Sequence, residues 1–352
     1  MSLEKRIKAF VQLGLFLNQF KTEIKEESFQ KINDKFYDEF EYLILRQKAY
    51  NGWFDKKEVM TSVTGIGTSL SEKNLKEWLS NYLINDNSDK SVGVIMAGNI
   101  PLVGFHDFLS VLITGNKIQA KLASNDNTLI RKIGEILIFI DIDFEDKIAF
   151  VEKIENFDAV IATGSDNTAR YFDQYFGKYP NIIRKNRNSV AIINAKDGHK
   201  ELNILGRDIF QYFGLGCRSV SKLYFPKGYK INTFFEAILD DYQNVTQNNK
   251  YANNYDYNKA VYLMGNNQLL DNGFLLLKED QSLNSPVGVL NYEYYNSVKE
   301  LEKQLEQQKE TLQCIVSSKN TPIDTFEFGD AQCPTLSDYA DNVDTIDFLL
   351  DL

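Results

Sequence analysis

Apolar positions along the chain fall into two formats that alternate. Val92-Gly93-Val94-Ile95-Met96-Ala97 is a continuous apolar run closing on Gly98-Asn99-Ile100-Pro101, after which Leu102, Phe105, Leu109 and Leu112 recur at helical spacing. A run apolar on both faces suits a parallel strand covered by helices on either side. Gly115-Asn116 stops the helix and Lys117-Ile118-Gln119-Ala120-Lys121 resumes as a strand, so the segment predicts a β-α-β unit. Asp158 to Thr163 repeats the format, with Gly164-Ser165 leading into another helix. Backbone N–H groups at such a turn can hold a phosphate. The Gly-Ser pair alone is neither a dinucleotide fingerprint nor a Walker loop, and a plain strand-to-helix turn fits it as well.

On either side of this stretch the pattern changes. Residues 1 to about 88 read as polar-faced helices led by Ile7, Phe10, Leu13 and Leu15. A later one is expected to start at a Ser69-x-x-Glu72 capping box and to present Leu75, Trp78, Leu79 and Tyr82 on one face. Asn85-Asp86-Asn87-Ser88-Asp89 is the polar joint before the first strand. Val190-Ala191-Ile192-Ile193 and Leu223-Tyr224-Phe225 predict strands of a second α/β domain. Gln243 to Tyr257 reads as a polar loop or helix edge, and a helix opening at Ser297 is extended through Leu312, which places Cys314 on it. An acidic stretch from Asp338 precedes Ile346-Asp347-Phe348-Leu349-Leu350, read as a closing helix that docks by its apolar face. The fold class is therefore α/β, in two domains spanning residues 1–187 and 188–352, with a C-terminal tail that can pack back on the first.

Composition narrows the function classes. The chain has 352 residues, 43% of them hydrophobic, enough for a substantial core. A net charge of −10 argues against a general nucleic-acid binder. The opening Leu3 to Phe20 is broken by Glu4, Lys5, Arg6 and Lys8, so neither a signal peptide nor a membrane span is expected, and a cytoplasmic location follows. Three cysteines, without a CxxC or paired histidines, argue against a disulfide framework and against a metal site.

Among those cysteines, Cys217 stands out. In Gly214-Leu215-Gly216-Cys217-Arg218-Ser219 the glycines leave room for a substrate against the sulfur and a basic neighbour favours thiolate, the state that attacks carbonyl carbon. A buried, inert cysteine is the competing reading. Cys333 lies in a turn-rich loop, and His106 and His199 fit neither a triad nor a metal pair. Asn99, at the carboxyl end of a strand where open α/β sheets bind ligands, can donate its side-chain amide to an oxyanion. An ordinary turn asparagine would look the same.

Order and content together resemble the aldehyde dehydrogenase superfamily, and within it the acyl-CoA reductase branch typified by the fatty acyl reductase of bacterial luminescence. Gly98-Asn99-Ile100-Pro101 is similar to that superfamily's Trp-Asn-Phe-Pro segment. Gly115-Asn116-Lys117 and Lys121-Leu122-Ala123-Ser124 resemble its Gly-Asn and Lys-Pro-Ala-Glu stretch, and Thr163-Gly164-Ser165 its Thr-Gly-Ser. Gly214-Leu215-Gly216-Cys217, followed by Lys222-Leu223-Tyr224-Phe225, resembles its nucleophile segment and the strand after it. The likeness covers roughly Val92 to Pro226, with a weaker echo at Asn284-Ser285-Pro286-Val287.

The resemblance implies two Rossmann-like domains with the active site in the cleft between them, residues 1–187 binding cofactor and 188–352 carrying the nucleophile. It implies Cys217 as nucleophile, Asn99 with the Cys217 N–H as oxyanion hole, Lys121 at the cofactor ribose, Gly164 and Ser165 beneath the pyrophosphate, and a homo-oligomer. Three departures carry information. The family's general-base Glu should fall near Arg184-Lys185-Asn186-Arg187, where no carboxylate stands. A dehydrogenase needs that base to activate water, whereas a reductase fed by a thioester does not. Ser124 replaces a Glu that would repel a 2′-phosphate, which implies NADPH. Ser282 stands where a Glu usually helps to orient the nicotinamide ribose, leaving cofactor geometry open.

The expected function is NADPH-dependent reduction of an acyl-CoA or acyl-carrier thioester to the aldehyde. The basic residues Arg184, Lys185, Arg187, Arg218 and Lys222 are candidates for receiving phosphates of the carrier, or a solvated patch. The alternatives are an acyl-phosphate or short-chain CoA-acylating aldehyde oxidoreductase, and a partner-binding subunit that keeps the fold with little turnover.

Overall fold

The computed structural model describes residues 1–22, 24–86, 88–318, 323 and 325–352. Of the expected polar joint before the first strand, Asn87 lies outside the described residues. Two compact units divide the chain, Met1–Lys185 with Thr335–Leu352, and Asn186–Pro334.

The first unit opens with α1 (Leu3–Thr22), α2 (Gln30–Tyr50), α3 (Lys56–Ser69) and α4 (Glu72–Leu79). On α1, Phe10, Leu13, Phe16, Leu17 and Phe20 recur every three or four residues and are buried. α1 lies against α3 so closely that a Cβ on Gly14 would come 2.7 Å from Leu70 Cβ and 3.0 Å from the Gly67 carbonyl. The expected cap at Ser69 is corrected: α3 runs on to Ser69, whose hydroxyl donates to Ile66 O at 2.8 Å. Ser71 caps α4 instead, accepting from the Asn74 N–H.

Next come β1 (Ser91–Ile95), α5 (Phe105–Ile113), β2 (Lys117–Lys121), α6 (Thr128–Ile140), β3 (Ile148–Phe150), β4 (Ala159–Thr163), α7 (Asp166–Phe176) and β5 (Asn181–Arg184). The five strands are parallel in the order β3-β2-β1-β4-β5. The chain winds outward from β1 through β2 to β3 and then returns to the other side of β1. The loops after β1 and β4 therefore diverge at the carboxyl edge, the arrangement that opens a ligand crevice in doubly wound sheets. α12 (Thr345–Leu350) closes this unit, with Ile346 and Leu349 in the same core as α1 and α5. The approach to it is pinned where Trp78 Nε1 donates to the Tyr339 hydroxyl at 2.8 Å.

The second unit contains β6 (Asn188–Ile192), α8 (His199–Phe210), β7 (Val220–Pro226), α9 (Ile231–Tyr242), α10 (Asn249–Met264), β8 (Leu269–Asp271), β9 (Leu276–Glu279), β10 (Val289–Tyr295), α11 (Val298–Gln307), β11 (Leu312–Ser317) and β12 (Phe326–Glu327). Its sheet runs β12-β11-β6-β7-β10-β9-β8, with β8 antiparallel to β9 and the remaining pairs parallel. Two expectations change here. α11 stops at Gln307, and Leu312-Gln313-Cys314-Ile315-Val316 pairs with β6 as a largely buried strand, so Cys314 is a strand residue. Most of the Asn- and Tyr-rich stretch is helix α10, capped by Asn248 and anchored by buried Tyr251 and Tyr255. Asn258, one turn further on, is buried with them and donates to Val287 O at 3.0 Å, while Tyr257 is exposed.

Candidate active site

Parallel pairing gathers the candidate residues of the first unit at one edge of its sheet. Ile95 is in register with Lys121 on β2 and with Ala162 on β4. The loop with Asn99, the turn with Ser124 and the Gly164-Ser165 corner all leave that edge. Asn99, Lys121, Ser124 and Ser165 are exposed and Gly164 is half-buried.

The Asn99 loop is tied at several points. Gly98 O accepts from Asn51 Nδ2 at 3.3 Å and Asn125 Nδ2 at 3.2 Å, and Pro101 O accepts from Ser62 Oγ at 2.7 Å. Leu102 N donates to Asp126 Oδ2 at 2.9 Å. Ser124 does not cap α6, whose N-cap is Asn127; its carbonyl accepts from Asn127 Nδ2 at 3.2 Å. Ser165 does cap α7, with its hydroxyl accepting from Thr168 N at 3.4 Å.

In the second unit, Cys217 sits between α8 and β7, at the amino end of β7, opposite the edge where open sheets usually place ligands. Tyr212, Phe213 and Gly214 have φ of 53°, 57° and 75°. Two consecutive non-glycine residues in that left-handed region cost roughly 1–2 kcal/mol each and persist only where packing dictates them. Phe213 is buried against the Tyr251 ring, 6.3 Å between centroids. The strained segment delivers Cys217 to an exposed turn closed by Ser219 N donating to Gly216 O at 2.9 Å.

Behind the turn the contacts are specific. Cys217 O accepts from Ser189 Oγ at 2.8 Å, and that Ser189 Oγ in turn accepts from Cys314 N at 3.1 Å. The Arg218 guanidinium reaches Cys314 Sγ and Ala331 O, both at 3.4 Å, and lies over the Phe326 ring. Burial pushes the Cys314 thiol up to about 11. Cys333 is exposed, and its sulfur accepts from Arg207 Nη2 at 2.7 Å.

The proposed basic patch is not one surface. Arg184 is buried, paired with Asp107 and donating to Thr345 Oγ1 at 3.0 Å. Lys222 is fully buried, bonded to Glu293 and to Asp280 O at 2.9 Å. Lys185 lies 3.6 Å from Asp173, and Arg187 donates to Leu312 O at 3.2 Å. Charges paired or buried in this way answer structural demands of strands β5 to β7. His106 Nε2 lies 2.9 Å from Leu336 O and its ring packs against Trp78 and Tyr339, a packing role. Among the described residues no cluster of His, Cys, Asp and Glu side chains could hold a metal ion, and no helix is long and apolar enough to cross a membrane.

Two buried carboxyls, Asp126 and Asp208, escaped sequence reasoning, because nothing in their local pattern distinguishes them from turn and helix-surface aspartates. Asp208, on α8, accepts from Gly329 N at 2.6 Å and ties down the segment whose Ala331 carbonyl meets Arg218. Burial raises its carboxyl to about 7, against the opposing pull of backbone N–H groups and Arg207. The folded chain thus keeps a proton that the unfolded chain releases near pH 4. Stability falls by up to about 1.4 kcal/mol per pH unit as pH rises from about 4 to about 7, and the loss is complete above that window. Asp208→Asn keeps an oxygen for the Gly329 N–H, so its melting temperature relative to the parent is expected to climb between about pH 4 and pH 7 and to level off above. A difference that stays constant over that range contradicts the assignment.

No family model matches the chain, and no curated protein matches it. Solved structures do. Aldehyde dehydrogenase 21 from Physcomitrella patens, in complex with succinate, aligns over 100% of this chain and 84% of its own, with TM-score 0.68 and 13% identity. A putative aldehyde dehydrogenase from Burkholderia cenocepacia aligns over 92% of this chain and 76% of its own, with TM-score 0.65 and 12% identity. An indole-3-acetaldehyde dehydrogenase complexed with NAD+ aligns over 92% and 73%, with TM-score 0.61 and 14% identity. With its doubly wound five-stranded sheet and its larger mixed sheet bearing Cys217, the chain has the aldehyde dehydrogenase fold.

Proposed function

We propose that the protein reduces a fatty acyl-CoA thioester to the aldehyde with NADPH, through an acyl-enzyme on Cys217. The observation that carries this reading is the exposure of Cys217 on a glycine-flanked, strained turn in a chain with this fold, while Cys314 beside it is buried with a raised thiol. An aldehyde-directed oxidoreductase is what the names of the solved neighbours support.

The chemistry assigned to the chain's own residues is as follows. The Cys217 thiolate attacks the thioester carbonyl carbon, and the carbonyl π pair moves onto oxygen. Asn99 Nδ2 and the Cys217 N–H donate to that oxyanion. Its collapse re-forms the carbonyl and breaks the bond to the CoA sulfur, which leaves as thiolate and takes a proton from solvent. NADPH, when bound, supplies a hydride to the resulting thioester carbon. Cys217 then departs as thiolate as the aldehyde is released. The segment Arg184-Lys185-Asn186-Arg187 holds no carboxylate to activate water, which favours reduction over hydrolysis.

The first unit suits a dinucleotide. At the carboxyl edge of its sheet Lys121 and Ser124 are exposed, and a Cβ on Gly98 would come 2.7 Å from Ala123 Cβ, so glycine lets the Asn99 loop lie close against the turn that carries Ser124. In this reading Lys121 and Ser124 hold the adenosine ribose and its 2′-phosphate, with Gly164 and Ser165 beneath the pyrophosphate. In the second unit, the loop where Ser282 stands in place of the family's Glu is held by Ser282 N donating to Asp280 Oδ1 at 2.9 Å.

The test is an acyl-CoA chain-length series with NADPH or NADH, following cofactor oxidation and free aldehyde together. Aldehyde in step with NADPH consumption is expected, and Ser124→Glu should lower kcat/KM for NADPH at least about tenfold while leaving NADH much less affected, since the new carboxylate repels the 2′-phosphate. Preference of the parent for NADH overturns the cofactor assignment. Cofactor binding without any aldehyde overturns the activity and identifies a fold-retaining subunit.

A further inference from the structure

We propose that Asp126 is a positioning residue for Asn99, its buried carboxylate clamping the Asn99 loop to the turn that carries Ser124. The proposal rests on the roles given to Asn99 and Ser124 above. Asp126 is 5% exposed, and its Oδ2 holds the Leu102 N–H at 2.9 Å. Its own N–H donates to Ala123 O at 3.2 Å, closing a turn with Ser124 and Asn125 at its tip. One residue thus ties the two segments from both ends. Leu102 is itself strained, with φ 57°, and its side chain is 4% exposed. A leucine stays left-handed only where its surroundings over-determine it. The Asp126 acceptor, together with the Ser62 hydroxyl on Pro101 O, supplies that determination three residues after Asn99.

Stability alone does not call for this arrangement. Asp126 Oδ1 has no hydrogen-bond partner among the described residues, and burial pushes the carboxyl up to about 7. A buried carboxyl with one oxygen unpaired costs free energy that an apolar residue of similar volume would not. The return is geometric. Catalytic donors need to be held to within a fraction of an ångström, and a misplacement of about 1 Å costs up to about 10²-fold in rate.

The experiment is a double-mutant cycle on the full chain, with dodecanoyl-CoA and NADPH as probes. Asp126→Ala is expected to lower kcat about 10- to 100-fold in the parent but less than about threefold in an Asn99→Ala background, because two groups acting as one unit are not additive. Asp126→Asn, which keeps an oxygen acceptor for Leu102 N, should restore most of the rate. Should the alanine variant not fold, Asp126→Ser, whose hydroxyl ends short of the Leu102 N–H, enters the same cycle. Faster hydrogen exchange at the Leu102 amide in either variant, with an unchanged melting temperature, supports the clamp. Equal losses in both backgrounds, or a parent-like kcat in Asp126→Ala, overturn it. An Asn99→Ala enzyme with unchanged kcat instead defeats the reading of Asn99 on which the proposal stands.

Discussion

Cys217→Ala protein incubated with dodecanoyl-CoA is expected to gain no mass, whereas the parent gains one acyl group on the peptide containing Cys217, and aldehyde production falls to background. Alanine has no nucleophile, and Cys217→Ser offers a hydroxyl that is far weaker without an adjacent base. Because Cys217 is exposed on its turn, the replacement should leave stability within about 0.5 kcal/mol, so lost chemistry is separable from lost fold. The other cysteines serve as controls of unequal strength. Cys314 is 2% exposed with a raised thiol and is expected to stay unlabelled. Cys333, exposed and touching Arg207, is the serious competitor. Acyl mass on Cys333 with none on Cys217 would end the proposed mechanism.

Asn99→Ala should form the acyl-enzyme slowly and turn over about 10²- to 10³-fold more slowly than the parent, the usual loss for one oxyanion donor. KM for the thioester should move little, because the donor acts on charge that develops only after attack. Hydrogen bonds at Gly98 O, Pro101 O and Leu102 N hold the loop on both sides of this position, and the melting temperature of the variant checks that the fold is kept. A kcat within about threefold of the parent would remove Asn99 from the reaction.

Much of the fold was legible because its strands are buried on both faces. Val92–Ile95, Ala159–Thr163 and Val190–Ile192 read as uninterrupted apolar runs, and each is a parallel strand with helical neighbours. Where burial is one-sided or tertiary packing decides, the sequence misled. Leu312 to Val316 continues the apolar spacing of the helix before it, yet pairs with β6. Gln243 to Tyr257 is polar in sum, but Tyr251 and Tyr255, four apart, anchor a helix. Among the candidate site residues, positions after strands could be placed from the strand ends alone. Their supports could not, since Asp126 reaches back to Leu102 and Ser189 to Cys217 across distances of chain that only the sheet order brings together. The run from Arg184 to Lys222 illustrates the reverse error: charges close in sequence were read as one patch, while burial and pairing disperse them.

The return of Thr335–Leu352 to the first unit has a consequence for biosynthesis. Ile346 and Leu349 complete a hydrophobic core begun by residues near the start of the chain, and the Trp78 indole waits for Tyr339. On the ribosome the second unit has all of its own strands before the first unit receives α12. The first unit therefore carries an unfinished apolar surface until residues 335–352 have been made, so it is completed only after every strand of the second unit has been synthesised.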